Sequence, residues 1–309
     1  MKKGQIPPPI TPEQKIAILS PTGSLSPETL FQIESYYRLH FQDVWIGESC
    51  RRNRHLNASD DRFRAKELMK AFENPEIGAI IFARGGESSE RLLPYLDALR
   101  IKKHRKIVLG YSDLCSILSY LVESCDQVVY HGLMASETPG SSTKQRSLLQ
   151  HLFFQDRKKI ALSLMIPIRL GETEGILKGG CLSVLHRLLK GDFAPSFQGS
   201  ILFLEDIRES TESLSRMLRD FENLGQLKHL KGVLFGQMLY CGATLSDFMP
   251  LLERYFLKYD IPLGFSLPSG HGDNIIPIPL GAKVHLSIQN KGSQLTLLTV
   301  PIQTLPGRI

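Results

Sequence analysis

Lys106-Ile107-Val108-Leu109-Gly110-Tyr111-Ser112-Asp113 runs directly into Leu114-Cys115-Ser116-Ile117-Leu118-Ser119-Tyr120-Leu121-Val122, and the whole reads as strand, tight turn and helix. The apolar run ends on Gly110, a residue free to take positive φ where the chain reverses. Apolar residues then recur with helical spacing at Leu114, Ile117, Leu118 and Leu121. Ser112 is therefore expected at a helix N-terminus, where unpaired N–H groups and the positive end of the helix dipole can hold an oxyanion beside a nucleophilic hydroxyl. A serine needs a base and an orienter before it reacts. Ser112 and Asp113 are also ordinary helix-capping residues, and position 114 is Leu114 where a full G-x-S-x-G elbow has its second glycine.

Upstream, strand and helix alternate. Ile16-Ala17-Ile18-Leu19 ends at the turn-rich loop Ser20-Pro21-Thr22-Gly23-Ser24, and a helix opens near Pro27 and runs through Leu30, Ile33 and Tyr37. Val44-Trp45-Ile46-Gly47 is the second strand. Ser59-Asp60-Asp61 caps a helix through Phe63, Ala65, Leu68, Met69 and Phe72. Ala79-Ile80-Ile81-Phe82-Ala83 runs straight into Arg84-Gly85-Gly86, and Leu92, Leu93, Tyr95 and Leu96 read as a further helical stretch. Near-continuous apolar strands alternating with helices predict an α/β fold whose N-terminal half is a doubly wound parallel sheet, with functional loops at the strands' carboxyl ends. Ser112 and Arg84-Gly85-Gly86 both occupy such ends. Bare N–H groups at Gly85 and Gly86 suit an oxyanion hole or a carboxylate clamp; a simple tight turn needs the same residues.

Downstream of Val128-Val129-Tyr130-His131-Gly132 the texture changes. The polar run Ser136-Glu137-Thr138-Pro139-Gly140-Ser141-Ser142-Thr143 reads as a linker, dividing the chain into 1–145 and 146–309. Lys178-Gly179-Gly180-Cys181 opens a helix through Leu182, Leu185, Leu188 and Leu189. Ile201-Leu202-Phe203-Leu204 is a strong apolar strand that delivers Glu205-Asp206 to its end. A helix from Ser210 to Leu224, a strand Val233-Leu234-Phe235-Gly236 and a helix from Leu245 to Tyr259 follow. The proline-punctuated tail, with Val284-His285-Leu286 and Leu295-Thr296-Leu297-Leu298, reads as loop and antiparallel strand.

Composition narrows the function classes. The 309 residues, 42% hydrophobic and 22% charged, match an ordinary soluble chain large enough for two cores. The net charge of +6 is spread over short clusters (Arg51-Arg52-Asn53-Arg54, Lys102-Lys103-His104-Arg105-Lys106, Arg157-Lys158-Lys159) without interleaved aromatics. Solvated surface with a bias toward small anionic substrates follows, and no nucleic-acid partner. Met1-Lys2-Lys3-Gly4-Gln5-Ile6-Pro7-Pro8-Pro9 has no apolar run after its basic residues, so neither a signal peptide nor membrane attachment is expected and a cytoplasmic location is. Cys50, Cys115, Cys125, Cys181 and Cys241, odd in number and scattered, read as reduced, mostly buried thiols.

Two downstream residues can complete Ser112. His271 lies between glycines in Ser269-Gly270-His271-Gly272-Asp273-Asn274, where an imidazole is open to proton transfer or merely solvated. Glu205 ends a buried strand, where an unpaired carboxylate is costly, so a partner is required: an imidazolium, or Arg208. The order Ser, Glu, His fits an acyl-transfer arrangement in which the acid holds the histidine and the histidine deprotonates the serine.

With those residues in place, the chain resembles the LD-carboxypeptidase family of serine peptidases (family S66, muramoyltetrapeptide carboxypeptidases) along nearly its whole length. The resemblance rests on Ile18-Leu19-Ser20-Pro21, the Ser59 to Pro75 helix, Arg84-Gly85-Gly86 with Arg91 to Asp97, and Gly110-Tyr111-Ser112-Asp113. It continues through His131-Gly132-Leu133-Met134, Gly179-Gly180, Leu204-Glu205-Asp206, Arg216-Met217-Leu218, and Gly270-His271-Gly272 with Pro279-Leu280-Gly281. It implies a two-domain protein, with the serine on an N-terminal α/β domain and the other two residues on a second, smaller C-terminal domain rich in β-structure. It implies Ser112 as nucleophile, His271 as general base and Glu205 as the acid orienting it. Backbone N–H groups of Gly86 and Asp113 would take the oxyanion, and Arg84 and Gly85 would hold substrate, Arg84 through the substrate's terminal carboxylate unless it is a buried structural cation. The implied reaction removes the terminal D-alanine from cytoplasmic murein tetrapeptides during cell-wall recycling, by a homodimer without metal or organic cofactor. This chain departs from the family pattern at Glu87-Ser88, where an aromatic and a glycine are common, and at Cys181, where an asparagine is usual. Two other readings are a microcin-immunity-type hydrolase of aminoacyl-nucleotide analogues and a non-catalytic muropeptide-binding protein.

Overall fold

Strand β1 (Lys15–Leu19) is buried from Ile16 to Leu19 and pairs in parallel on both sides, Ile16 to Ile18 against Val44 to Ile46 of β2 (Val44–Ile46) and against Ala79 to Ile81 of β3 (Ile77–Phe82). The computed structural model containing it describes residues 4–51, 61–154, 159–162, 164–242, 244–272 and 275–298. The expected Ser59-Asp60 cap, most of the two basic clusters around Arg52 and Arg157, and Asp273-Asn274 lie outside the described residues.

β4 (Ile107–Gly110) and β5 (Val129–His131) extend the parallel sheet, giving the order β5-β4-β3-β1-β2. Every residue of β4 and all but one of β3 are buried, as a sheet covered on both faces requires. The order reverses between β1 and β3, the point at which doubly wound sheets open a crevice at their carboxyl ends. Ser20–Gly23, Arg84–Gly86 and Ser112 follow the carboxyl ends of β1, β3 and β4. The connecting helices are α1 (Pro27–Arg38, capped by Ser26 and with Pro27 in its first turn), α2 (Asp61–Glu73), the single turn α3 (Ala98–Ile101) and α4 (Cys115–Cys125). The helical stretch expected at Leu92, Leu93, Tyr95 and Leu96 is the end of a 3-10 segment, Ser89–Tyr95, interrupted by Pro94, which cannot sustain an α-helical ladder.

After α5 (Thr143–Phe154) a second sheet forms from β6 (Lys159–Ala161), β7 (Ile166–Arg169), β8 (Gly171–Cys181), β9 (Ile201–Ile207), β10 (Gly232–Leu239), β11 (Leu263–Phe265), and, beyond β12 (Ile278–Leu280), β13 (Lys283–Ile288) and β14 (Gln294–Leu297). Its order is β6-β14-β13-β8-β9-β10-β11-β7, with β8 to β11 parallel and the flanking pairs antiparallel. Gly179-Gly180-Cys181 ends β8, paired with Phe203 to Glu205, and α6 (Leu182–Leu188) begins only after it. Helices α7 (Thr211–Asn223) and α8 (Leu245–Tyr255) complete this half, and Leu214, Leu218 and Phe221 of α7 pack with Phe248 and Leu252 of α8.

β12 leaves this half altogether. It pairs antiparallel with β5, Ile278 opposite His131, at the edge of the first sheet. The loop from β11 to β12 must therefore cross from one sheet to the other, and it arrives at the carboxyl end of β5. Phe203 and Leu234 share one apolar cluster with Val108 and Leu109, so the two sheets are joined through core and not only through loops. All five cysteines are free and buried. Among the described residues no helix is long and apolar enough to cross a membrane.

Candidate active site

Ser112 follows β4 with φ +65°, a left-handed backbone that costs a serine about 1–2 kcal/mol. The positive φ expected of Gly110 belongs to Ser112 itself. Gly110 is needed for another reason: a Cβ there would sit 2.8 Å from Phe82. The turn Ser112–Leu114 leads into α4, and no side chain caps it. Ser112 is thus not spent as a cap; its Oγ lies 2.9 Å from His271 Nε2.

His271 comes from the loop that crosses between sheets. Its Nδ1 is 2.8 Å from Glu205 Oε2, and Glu205, on β9, is fully buried. Gly270 makes the approach possible, since at φ +117° a Cβ would lie 2.5 Å from Glu205 Oε2. The partner that Glu205 requires is therefore imidazole. Arg208, the other candidate, is exposed three residues beyond Glu205.

The electrostatics follow from burial and pairing. Burial pushes the Glu205 carboxyl up, but contacts with His131 and His271 outweigh it and hold Glu205 well below the ordinary carboxylate range. Burial pushes the His271 imidazole down, but Glu205, with Asp206 and Glu137 adding negative charge, sets it above its ordinary value. His271 is kept in place on another side by Tyr111, whose ring meets it edge-on with centroids 5.0 Å apart. The Tyr111 hydroxyl donates to Glu137 Oε1, and Glu137 Oε2 accepts the Met134 N–H at 2.9 Å.

The remaining expected residues surround the hydroxyl unequally. A Cβ on Gly85 would lie 2.9 Å from both Cβ and Oγ of Ser112, so only glycine permits this approach. Gly86 is exposed beside Thr22, whose hydroxyl donates to Arg84 O at 3.0 Å. Arg84 is exposed and not a buried cation. Its Nε donates to Gly85 O at 2.9 Å, and it has no carboxylate partner among the described residues. Asp113 is buried, with Oδ2 accepting the Ser89 N–H at 2.9 Å and Oδ1 accepting Arg187 Nη2 at 2.8 Å. That pair ties the serine turn to α6 of the other half.

Cys115, His131 and Glu205 offer ligand atoms within 4.8 Å of one another, close enough for a cation. The chemistry of the set does not favour one: burial holds the Cys115 thiol far above its ordinary pKa, and Glu205 is already engaged by imidazole.

Comparison with known proteins gives this geometry its context. The LD-carboxypeptidase N-terminal domain profile matches residues 16–132 and the LD-carboxypeptidase C-terminal domain profile matches residues 174–286. The chain belongs to the LD-carboxypeptidase family. It is 28% identical over 281 residues to the murein tetrapeptide carboxypeptidase of Pseudomonas aeruginosa, covering 84% of this chain and 88% of that one. To the microcin C7 self-immunity protein MccF of Escherichia coli it is 22% identical, over 75% of this chain and 78% of that one. The crystal structure of muramoyltetrapeptide carboxypeptidase from Oxalobacter formigenes superposes with a TM-score of 0.81 at 25% identity, covering 93% of this chain and 99% of that one.

In this LD-carboxypeptidase chain several site residues carried no signal of their own in the sequence. His131 ends an apolar strand like any core residue, yet its ring faces Glu205. Tyr111 and Glu137 lie 26 positions apart and meet only through the fold. Cys181, at the family's usual asparagine position, is buried with its N–H on Cys115 Sγ at 3.2 Å and its Sγ 3.5 Å from Asp206 Oδ1. Glu87 is exposed.

Proposed function

We propose that the protein is a serine-type LD-carboxypeptidase that hydrolyses the bond between an L-centre and the terminal D-alanine of murein tetrapeptides. The observation that supports this best is the unbroken relay Glu205 Oε2, His271 Nδ1 and Nε2, Ser112 Oγ, with steps of 2.8 and 2.9 Å. Ser112 Oγ attacks the scissile carbonyl while His271 Nε2 takes its proton; the tetrahedral oxyanion is received by the N–H groups of Asp113 and Gly86. The imidazolium, steadied by Glu205, returns the proton to the departing D-alanine amine and leaves an acyl ester on Ser112. Water, deprotonated by His271, then cleaves the ester. Gly85 clears room for the substrate beside the hydroxyl, and the exposed fork of Arg84 grips its terminal carboxylate. No metal or organic cofactor takes part.

The proposal includes a division near residue 145, with the nucleophile in one half and Glu205 and His271 in the other, a homodimeric assembly, and a cytoplasmic location in peptidoglycan recycling. Similarity to the microcin self-immunity protein makes hydrolysis of an aminoacyl nucleotide the second reading. Trp45, the one tryptophan, offers that reading little: it lies on the edge strand β2, with β1 and β3 between it and β4, and Lys70 Nζ stands 5.3 Å from its ring centroid.

Mass spectrometry of a murein tetrapeptide incubated with the purified protein is expected to show loss of D-alanine. Intact tetrapeptide alongside cleaved aminoacyl-sulfamoyl nucleoside would replace the first reading with the second. Binding of muropeptide with neither cleavage would make the protein a binding module.

A further inference from the structure

A buried carboxylate has two oxygens to satisfy, and the relay accounts for one. Glu205 Oε2 takes His271; Oε1 has no hydrogen-bond partner among the described residues. Facing it at 3.4 Å is His131 Nε2, which equally lacks another partner. Both side chains are fully buried, one from each sheet. The other nitrogen of His131 lies 3.4 Å from Ser269 Oγ, on the loop that carries His271. Phe203 meets the ring edge-on with centroids 5.1 Å apart, and Tyr111 packs on it at a tilt with centroids 5.6 Å apart.

Two orphaned buried polar atoms aimed at each other are costly apart and complementary together. We infer that His131 is a positioning residue: neutral, protonated on Nε2, it donates to Glu205 Oε1, and the Ser269 hydroxyl fixes that tautomer by donating to Nδ1. His131 acts through Glu205, completing a chain from Ser269 through His131, Glu205 and His271 to Ser112. The contact tightens when the site is engaged, as catalytic hydrogen bonds that are long in the free enzyme do. A neutral donor suits the place. It stabilises the Glu205 anion against the Asp206 and Glu137 carboxylates without competing as a cation for the charge that His271 needs. The other groups packed here are the Tyr111 hydroxyl and the Cys115 and Cys181 thiols. Of the thiols, Cys115 is the one in reach of Glu205, a weak donor whose sulfur already accepts the Cys181 N–H.

The inference rests on the proposed serine mechanism, and the test separates the two. Labelling of Ser112 by a fluorophosphonate is followed against pH in wild type, His131→Phe and His131→Gln, with ring 15N spectra of the wild-type histidines. The Phe variant is expected to label about ten- to a hundredfold more slowly at its plateau, the worth of a hydrogen bond to a charged group. Its acid limb should move to higher pH, because a Glu205 anion without its second donor holds the proton on His271 more tightly. Gln, whose amide N–H can reach Oε1, should restore most of both. Spectra should show His131 as the Nε2–H tautomer. A Phe variant with wild-type plateau and acid limb, or an Nδ1–H tautomer at His131, overturns the inference alone. A wild type that does not label overturns the serine mechanism and the inference with it. If the Phe variant does not fold, the tautomer and the Gln profile decide.

Discussion

Ser112 Oγ and His271 Nε2 stand 2.9 Å apart although 159 positions separate them in the chain, because β11 and β12 belong to different sheets and the loop joining them passes the carboxyl ends of β4 and β5. The contact is a product of topology, and it is separable from stability. Ser112→Ala should lose at least ~10³ of the hydrolytic rate, as deletion of a serine nucleophile does. Ser112→Gly should be equally inactive but more stable than the alanine variant by about 1 kcal/mol, since glycine accepts φ +65° without strain. Progress curves and denaturant melts of the two variants check both halves of this expectation.

The raised His271 and lowered Glu205 have opposite signs in pH dependence. As the proposed base His271 must be neutral, so activity should fall with acid along a limb lying above the ordinary imidazole value of 6.5. A raised base adds stability that is complete below its unfolded value and is lost as pH rises through the folded one. Glu205 adds stability that is present above its unfolded value of 4.5 and is lost as pH falls through its lower folded one. As pH rises through the His271 titration, which lies above the ordinary imidazole value, activity should therefore climb while melting temperature slips downward. In Glu205→Gln the rate should drop by ~10⁴ and the acid limb should move to lower pH, burial of the imidazole now acting unopposed. A pH–rate profile beside thermal melts in matched buffers measures both.

Gly85 and Gly270 are both tight against the relay, but for different reasons. Gly85 has no positive φ, and a methyl there crowds the Ser112 side chain at 2.9 Å, its other neighbour, Met134 Cε, lying at an ordinary 3.7 Å. Gly85→Ala should therefore displace the hydroxyl and cost ~10²-fold in kcat with little change in melting temperature. Gly270 sits at φ +117° against Glu205, so Gly270→Ala should lose stability as well as activity. Kinetics paired with melts for the two variants distinguish them.

Much of this site was legible before any coordinates, and the reasons are local. The strand, turn and helix around Ser112 are set by neighbouring residues, and Glu205 and His271 stand out because a carboxylate at a buried strand end and an imidazole between glycines need explaining. What stayed illegible is tertiary. Three-residue β12 contains Pro279 and has too little pattern to show that it would leave its own half for the edge of the first sheet. His131 reads as a strand terminus until that return brings Ser269 and Glu205 around it. Gly110 does not take the positive φ expected of it; what excludes a side chain there is the Phe82 ring, a contact no spacing reveals.

Asp113 offers the sharpest division between scaffold and chemistry. Its backbone N–H belongs to the proposed oxyanion hole, whereas its buried carboxylate joins Ser89, which follows β3, to Arg187 on α6. Asp113→Ala keeps the N–H but strands the Ser89 N–H in a buried place, an expected loss of about 1–3 kcal/mol. The Arg187 side chain is 49% exposed, so Arg187→Ala should cost only about 0–1 kcal/mol, as half-solvated ion pairs do. Asp113→Asn should lie between, because its amide oxygen can still accept from one of the two donors. Denaturant melts of the three variants and an Asp113/Arg187 double-mutant cycle test the ranking. Equal losses from Asp113→Ala and Arg187→Ala would mean that the ion pair, and not the Ser89 N–H, is what the buried carboxylate serves.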